Sequence, residues 1–420
     1  MQATKCVIQS HANESLAGLL AECLIITYNG IRYAQENGID NRKRMKRFYQ
    51  TLRDTKLPSC YKVTAITRAC AVIKSRNKSL RRQIEVRHPK PLRPVACIIS
   101  GFFITMKGRL FIPVSRDKYA DIQLNDHVVN SIQGRKVRSL TITQSLLSLC
   151  YSDDIRLAPV RAVYGVDRNE KNITFGDIDK VVRIEMKEIV RINETTREIL
   201  SSFKRNDVRI GKKLTRKYWK RANNRTNQIL HTATNFIVEM ASKNRAALTV
   251  EDLTGIRKMY QRNNLHGPSY RFRLNSWPHW KAKRMLEYKA AWKGVTVIGL
   301  SKSETYGSSS LCSKCGEKLR SPKRGDLEHG RMQWCGNCKE WIDRDVHATL
   351  NLSTRGLARF ASSLPRSKGS SQRAELQSEE KGLAIEAVKG NPVRTVILRV
   401  DASKLTRDSM SNPSVEQIKS

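Results

Sequence analysis

The chain has 420 residues, room for about two to four compact units, and 78 Lys and Arg against 38 Asp and Glu leave a net charge of +40. So strong a polycation repels itself unless a polyanion lies against it, which points to nucleic acid, with an anionic membrane as the alternative and no small-molecule substrate expected. The apolar run from Leu16 to Tyr28 is broken by Glu22 and is too short to cross a bilayer. It has neither a dense basic flank nor a small-residue cleavage site, so the expectation is a soluble cytoplasmic protein without a membrane partner.

Residues 4–9, TKCVIQ, read as a short strand, and the chain to about residue 85 reads as helical. Leu16, Leu19, Leu20, Cys23, Leu24 and Tyr28 recur at helical spacing, and Val63, Ile66, Ala69 and Ile73 repeat the pattern. The other face of that second helix is basic, as is Arg42–Arg47, which suits a lobe that contacts a polyanion. His88-Pro89-Lys90-Pro91 marks a linker. Short β-rich runs follow (VACIIS, GFFITM, RLFIPV, DIQL, SLTIT, LSLCYS), punctuated by Gly, Asn, Asp and Ser. They predict a small antiparallel barrel or sandwich.

From Arg161 the pattern shifts. AVYGVD is an apolar strand ending on Asp167, NITFGD a second strand, and Lys180–Met186 a third. A long basic helical region runs to about Lys243. AALTVEDL then delivers Glu251 and Asp252 at a strand end, Trp277–Trp292 reads as an amphipathic helix, and Val295–Leu300 as a fifth strand. Three meandering strands, helix, strand, helix, strand and helix is the order of an RNase H-like domain. Within the basic region, Lys204–Arg225 holds ten basic residues against Asp207 alone, with Tyr218 and Trp219 interleaved. Arg216, Lys217, Lys220 and Arg221 fall at helical spacing and form a ridge suited to phosphate, since such density without acidic partners repels itself. Ile229, Ala233, Phe236, Ile237 and Met240 are the buried stripe of the same region.

Six of the ten cysteines are scattered singly and read as reduced, half-buried apolar side chains. Cys312, Cys315, Cys335 and Cys338 differ in kind: two C-x-x-C pairs separated by 19 residues have the spacing of a four-thiolate structural Zn²⁺ site. His329, between the pairs, reads as a surface residue.

Hydrolysing a phosphodiester requires a nucleophile at neutral pH and compensation for charge on the leaving oxygen. Two Mg²⁺ ions held by carboxylate oxygens supply both. Asp167 and Glu251 at strand ends and Asp345 opening the last helix are the candidates for catalysis and for holding Mg²⁺. One acid at a strand end is ordinarily a turn residue or a cap. Three in this order, each at an element end, make a site. Asp252 points to the other side of its strand and reads as a cap. Asp343 reads as ordering the exit of the cysteine module, and Arg344 as touching phosphate or neutralising its flanking acids.

GVDRNEKNITFGD, TVEDL, LNSW…MLEYKAAWKGVTVIGL, SSLCSKCG and CGNCKEWIDRDVHATLNL together resemble the RuvC-like nuclease of the TnpB (OrfB) family, transposon-encoded relatives of the type V CRISPR effectors. The resemblance is strong from Ala162 to Gly356 and looser before it. It implies an α+β multidomain protein: a RuvC (RNase H-like) nuclease with an inserted zinc ribbon, preceded by a helical lobe and a small β-barrel. The boundaries expected are 1–10 for the first barrel strand, 11–88 for the helical recognition lobe and 89–160 for the barrel. The nuclease would fill 161–307 and 343–356 around a zinc ribbon at 308–342, with a largely disordered tail at 357–420 in which Val393–Val400 could pair as a strand.

The resemblance further implies an RNA-guided, Mg²⁺-dependent DNA endonuclease, prokaryotic and nucleoid-associated. A guide RNA from the transposon end would pair with one strand of target double-stranded DNA, and a single site would cut beside a short motif. Asp167, Glu251 and Asp345 would be the metal ligands, and the four cysteines would bind Zn²⁺. One departure stands out: many family members have Asn two residues after the last catalytic Asp, where this chain has His347. That substitution keeps open a catalytically weak nucleic-acid-binding regulator, and the fold also admits a transposase performing strand transfer.

Overall fold

The computed structural model describes residues 1–91, 93–115, 117–203, 208–253, 267–322, 331–363, 396–402 and 416–417. The chain divides into two compact units, 2–154 and, with Met1, 155–420.

The first unit runs β1 (Gln2–Ser10), α1 (Leu16–Glu36), α2 (Lys46–Thr51), α3 (Ser59–Leu80), β2 (Ala96–Ile98), β3 (Phe103–Ile104), β4 (Arg109–Ser115), β5 (Lys118–Gln123), α4 (Asp126–Ile132), β6 (Lys136–Ile142) and β7 (Leu146–Asp154). Leu16, Leu19, Leu20 and Cys23 of α1 are buried as their spacing requires, but the stripe continues through Ile26, Thr27 and Ile31, and Tyr28 is exposed. Three steps of four residues from Leu16 bring Tyr28 about 120° around the helix, outside the apolar face. Gly30 lets α3 approach: a Cβ there would lie 3.1 Å from the Ala69 Cβ. Lys62, buried on α3, donates to the carbonyls of Leu52 at 2.7 Å and Thr55 at 2.9 Å, closing the turn after α2.

The β-rich segments pair antiparallel in two ladders, β1-β7-β6-β2 and β3-β4-β5. Helix α4, capped by Asn125 accepting from the Val128 amide at 2.9 Å, interrupts the succession of strands between β5 and β6. Four apolar or half-apolar residues there carry a helical spacing too brief to read against the surrounding alternation.

The second unit holds β8 (Ala162–Arg168), β9 (Asn172–Gly176), β10 (Lys180–Glu185), α5 (Lys187–Ser201), α6 (Val208–Lys243), β11 (Ala246–Glu251), α7 (Pro268–Ser276), α8 (His279–Lys293), β12 (Val297–Leu300), β13 (Met332–Cys335), β14 (Glu340–Asp343), α9 (Arg344–Ser363), β15 (Val396–Asp401) and β16 (Glu416–Gln417). Seven strands form one sheet in the order β12-β11-β8-β9-β10-β15-β16. The first three along the chain meander, β11 runs parallel to β8, and β12 parallel to β11.

Strand alternation sorts the two faces. Tyr164, Val166, Leu248 and Val250 pack with Leu230, Ala233, Phe236, Ile237 and Leu286 of α6 and α8. Val163, Ala247, Ile298 and Leu300 pack with Leu352 and Leu357 of α9. That second face is unusually close. A Cβ on Gly165 would lie 2.0 Å from the Thr349 carbonyl oxygen, and one on Gly356 would lie 1.8 Å from Thr249 Oγ1.

The last helix does not stop at Gly356, as expected from the looser composition beyond it, but continues to Ser363, with Leu357 and Ala361 buried. The segment expected to be largely disordered also supplies β15, which pairs parallel with β10 from Lys180↔Val396 to Glu185↔Asp401. The remainder of that expectation falls on residues outside those described. Strand β15 overlaps the β-prone run Val393–Val400, which the sequence offers as a strand within that segment.

Candidate metal and nucleic-acid site

Asp167 and Glu251 come together because their strands are parallel neighbours in register, with Val166 opposite Val250. Each is the next residue along and belongs to the α9 face. Asp345 enters from the first turn of α9 and is 1% exposed, against 8% for Asp167. The Asn169 amide joins the two aspartates: its Nδ2 donates to Asp167 Oδ2 at 2.6 Å and to Asp345 Oδ1 at 3.1 Å. Asn172 Nδ2 donates to the other oxygen, Asp345 Oδ2, at 3.0 Å.

Asp343 does something else. Its Oδ1 accepts from the Asp345 amide at 2.8 Å and the Val346 amide at 3.2 Å, which makes it the N-cap of α9. Arg183 on β10 donates to the same oxygen at 2.6 Å and lies 3.7 Å from Asp345 Oδ2. Arg331 pairs with Asp345 Oδ1. The cations set against Asp343 and Asp345 are therefore Arg183 and Arg331, while Arg344 is exposed to solvent. Asp252 lies 3.9 Å from Lys283, and the cap expected of it would fall on residues outside those described. Arg168, beside Asp167, donates to the Glu251 carbonyl at 2.6 Å and to the His279 carbonyl at 3.2 Å, tying the start of α8 to the end of β11.

Burial, then the charges of Glu251 and Asp345, raise the Asp167 carboxyl to about 7, against the pull of the Asn169 hydrogen bond and Arg331. Burial also raises Glu251, with Arg168 opposing. For Asp343 burial is outweighed by the Arg183 hydrogen bond and charge, and the group is held below its ordinary value. Burial weighs first on Asp167 and Glu251 and neighbouring charge only second, and hard carboxylate oxygens of this kind are the donors that Mg²⁺ takes.

The four cysteines converge: their Sγ atoms all lie within 4.8 Å of one another. Cys312 and Cys338 Sγ are 3.8 Å apart, and Cys315 and Cys335 Sγ 3.5 Å. A tetrahedron with Zn–S of about 2.3 Å has edges of about 3.8 Å, so the quartet fits Zn²⁺. The β13–β14 hairpin carries the second pair, and bridges Leu311↔Lys318 and Arg320↔Trp334 shape the first. His329 lies outside the described residues.

Arg216, Lys217, Lys220 and Arg221 are all exposed on α6. Their interleaved aromatics turn to neighbouring elements: Tyr218 meets Phe203 edge-on at 5.9 Å, and Trp219 lies 6.5 Å from Phe272. Lys213, Lys217, Arg221 and Arg225 extend the ridge at four-residue spacing, and Arg221 and Arg225 line a cleft between α5 and α6 together with Arg191, Thr195 and Tyr218.

Sequence reading missed Asn169, Asn172, Arg183 and Arg331. The two asparagines sit two and five residues after Asp167, where a turn explains them equally well. Nothing in the sequence singles out the two arginines among so many cations.

Residues 279–352 match the model of the Cas12f1-like TNB domain. A TnpB-like protein of Methanocaldococcus jannaschii is 35% identical over 196 residues, 44% of this chain and 66% of that protein. A second TnpB-like protein of the same archaeon is 23% identical over 367 residues, 80% of each chain. The chain is thus similar to TnpB-like proteins over much of its length. It also aligns, at 27% identity over 242 residues, with a Streptomyces pristinaespiralis protein that bears the name of an RNA-guided DNA endonuclease, 54% of this chain and 55% of that one. The chain covers just under two thirds of the first archaeal relative's length.

Proposed function

We propose that this protein is a member of the TnpB family and an RNA-guided, Mg²⁺-dependent DNA endonuclease of a transposable element. It cuts double-stranded DNA beside a short motif with one RuvC-like site built from Asp167, Glu251 and Asp345. The observation that carries the reading is that Asp167 and Glu251 lie at the ends of two neighbouring parallel strands while Asp345 enters from the first turn of α9, with Asp167 and Asp345 sharing one amide donor. The strand order and the name of the Streptomyces relative support it.

Asp167, Glu251 and Asp345 would hold the divalent ions, which when bound supply an activated water and compensate charge on the leaving oxygen. Asn169 and Asn172 hold the two aspartates in a common orientation before any substrate arrives. Arg331, half-exposed beside Asp345, is placed to give its guanidinium to a phosphate. The four cysteines hold structural Zn²⁺. The cations of α6 contact nucleic-acid phosphates, which supports affinity while base pairing with the guide supplies the sequence choice.

The test is to purify the protein from a host carrying its transposon, sequence the bound RNA, and offer matched plasmid with Mg²⁺. A discrete RNA and cutting that Asp167→Ala abolishes are the expected results. No discrete RNA would sink the guided reading, and joined instead of cut products would point to strand transfer.

A further inference from the structure

We propose that His347 is a positioning residue that carries the geometry of the zinc knuckle into the helix bearing Asp345. The inference rests on the reading above, in which the four cysteines hold Zn²⁺ and Asp345 belongs to the cleavage site. His347 is 1% exposed. Its Nδ1 accepts the Ser313 backbone N–H at 3.0 Å and lies 2.6 Å from the Ser313 hydroxyl. Ser313 is inside the first knuckle loop, between Cys312 and Cys315. An Nδ1 that accepts a backbone amide carries no proton, so the ring is the neutral tautomer with its hydrogen on Nε2.

That hydrogen is badly placed. Nε2 is buried and lacks a hydrogen-bond partner among the described residues, a cost that an apolar ring of the same size would avoid. The residue is therefore not there to fill space. What it supplies is the acceptor at Nδ1.

The phase of α9 shows what that acceptor connects. Asp345, Thr349, Leu352 and Gly356 follow one face, toward the sheet, where Thr349 Oγ1 lies 3.3 Å from the Thr174 carbonyl. His347 and Asn351, four residues apart, follow the face turned to the cysteine module. Asn351 Nδ2 donates to the carbonyls of Ser308 at 2.8 Å and Leu311 at 2.9 Å, just ahead of Cys312. One rigid helix thus holds the knuckle on one side and a carboxylate ligand on the other. Groups behind metal ligands orient them, and their loss costs affinity without removing a ligand.

The experiment compares His347→Asn with His347→Phe in the full-length protein. Asn places an acceptor where Nδ1 stood; Phe keeps the bulk and removes it. Three quantities are read: the rate of zinc transfer to a chromophoric chelator, the Tm, and matched-plasmid cleavage as a function of Mg²⁺. For Phe, zinc release about 10- to 100-fold faster is expected, with lower kcat, unchanged KM for DNA and a higher Mg²⁺ requirement. For Asn, all three stay near the parent. Equal zinc release from Phe and Asn, or parental release from Phe at a parental Tm, would overturn the proposal, as would a parent that holds no zinc. If the parent cuts no matched DNA, the nuclease reading fails while the zinc-release comparison still decides the role of His347.

Discussion

Asn169 shows how much of the site turns on one amide. Its single Nδ2 reaches carboxylates that are 178 positions apart in sequence, Asp167 and Asp345. The place of each acid at a strand end or helix start was legible; their partners were not, because a buried amide and a surface turn amide look alike in one dimension. Choosing Asp345 over Asp343 from its place before the helical run agrees with the geometry, in which Asp343 spends its oxygen on the N-terminus of α9 and on Arg183. Two predictions follow at this scale. Asp167→Asn keeps the shape and removes the charge, and cleavage should fall by more than about a hundredfold, since changes behind a ligand already cost about 10- to 100-fold. Asn172→Ala leaves Asp345 Oδ2 one donor short. It should raise the Mg²⁺ concentration for half-maximal cleavage by about tenfold, with little change in Tm if the site is functional and not structural. Cleavage rates titrated against Mg²⁺ check both.

The decisive element is α9, which brings Asp345 over the ends of β8 and β11. Its apolar spacing was readable, but its depth was not, because the depth depends on what the glycines lack. The backbone oxygen of Thr349 occupies the space where a Gly165 side chain would stand, so β8 and α9 cannot separate to admit one without moving Asp345. Gly165→Ala should destabilise the unit by about 1–3 kcal/mol, the usual cost of overpacking, and lower kcat through displacement of the helix. Thermal unfolding and cleavage kinetics measure the two parts. An unchanged Tm would mean that α9 rides further from the sheet than the close approach requires. The first unit was less legible at the same scale. Alternating runs place strands along the chain and predict a barrel or a sandwich, yet which strands pair depends on contacts between distant segments that local pattern does not encode; here they form two antiparallel ladders.

At the scale of the whole molecule the governing fact is the +40 charge, legible from composition alone, while its distribution needed the structure. The ridge on α6 gathers Arg216, Lys217, Lys220 and Arg221 on an exposed surface, and the aromatics between them are committed to Phe203 and Phe272. That division predicts electrostatic contact from this helix with little base stacking. Each phosphate neutralised releases condensed counterions, so the slope of log K against log salt counts the contacts, at about 0.7 to 0.9 per phosphate. Replacing the four residues by Gln should flatten the slope by about 3 if all four touch phosphate, with the loss of affinity falling alike on all sequences. Binding titrations of labelled nucleic acid across a range of salt read this directly. Weaker binding at an unchanged slope would mean that the substitutions disturbed the helix instead of its charges, and an unchanged affinity would remove this ridge from the nucleic-acid surface.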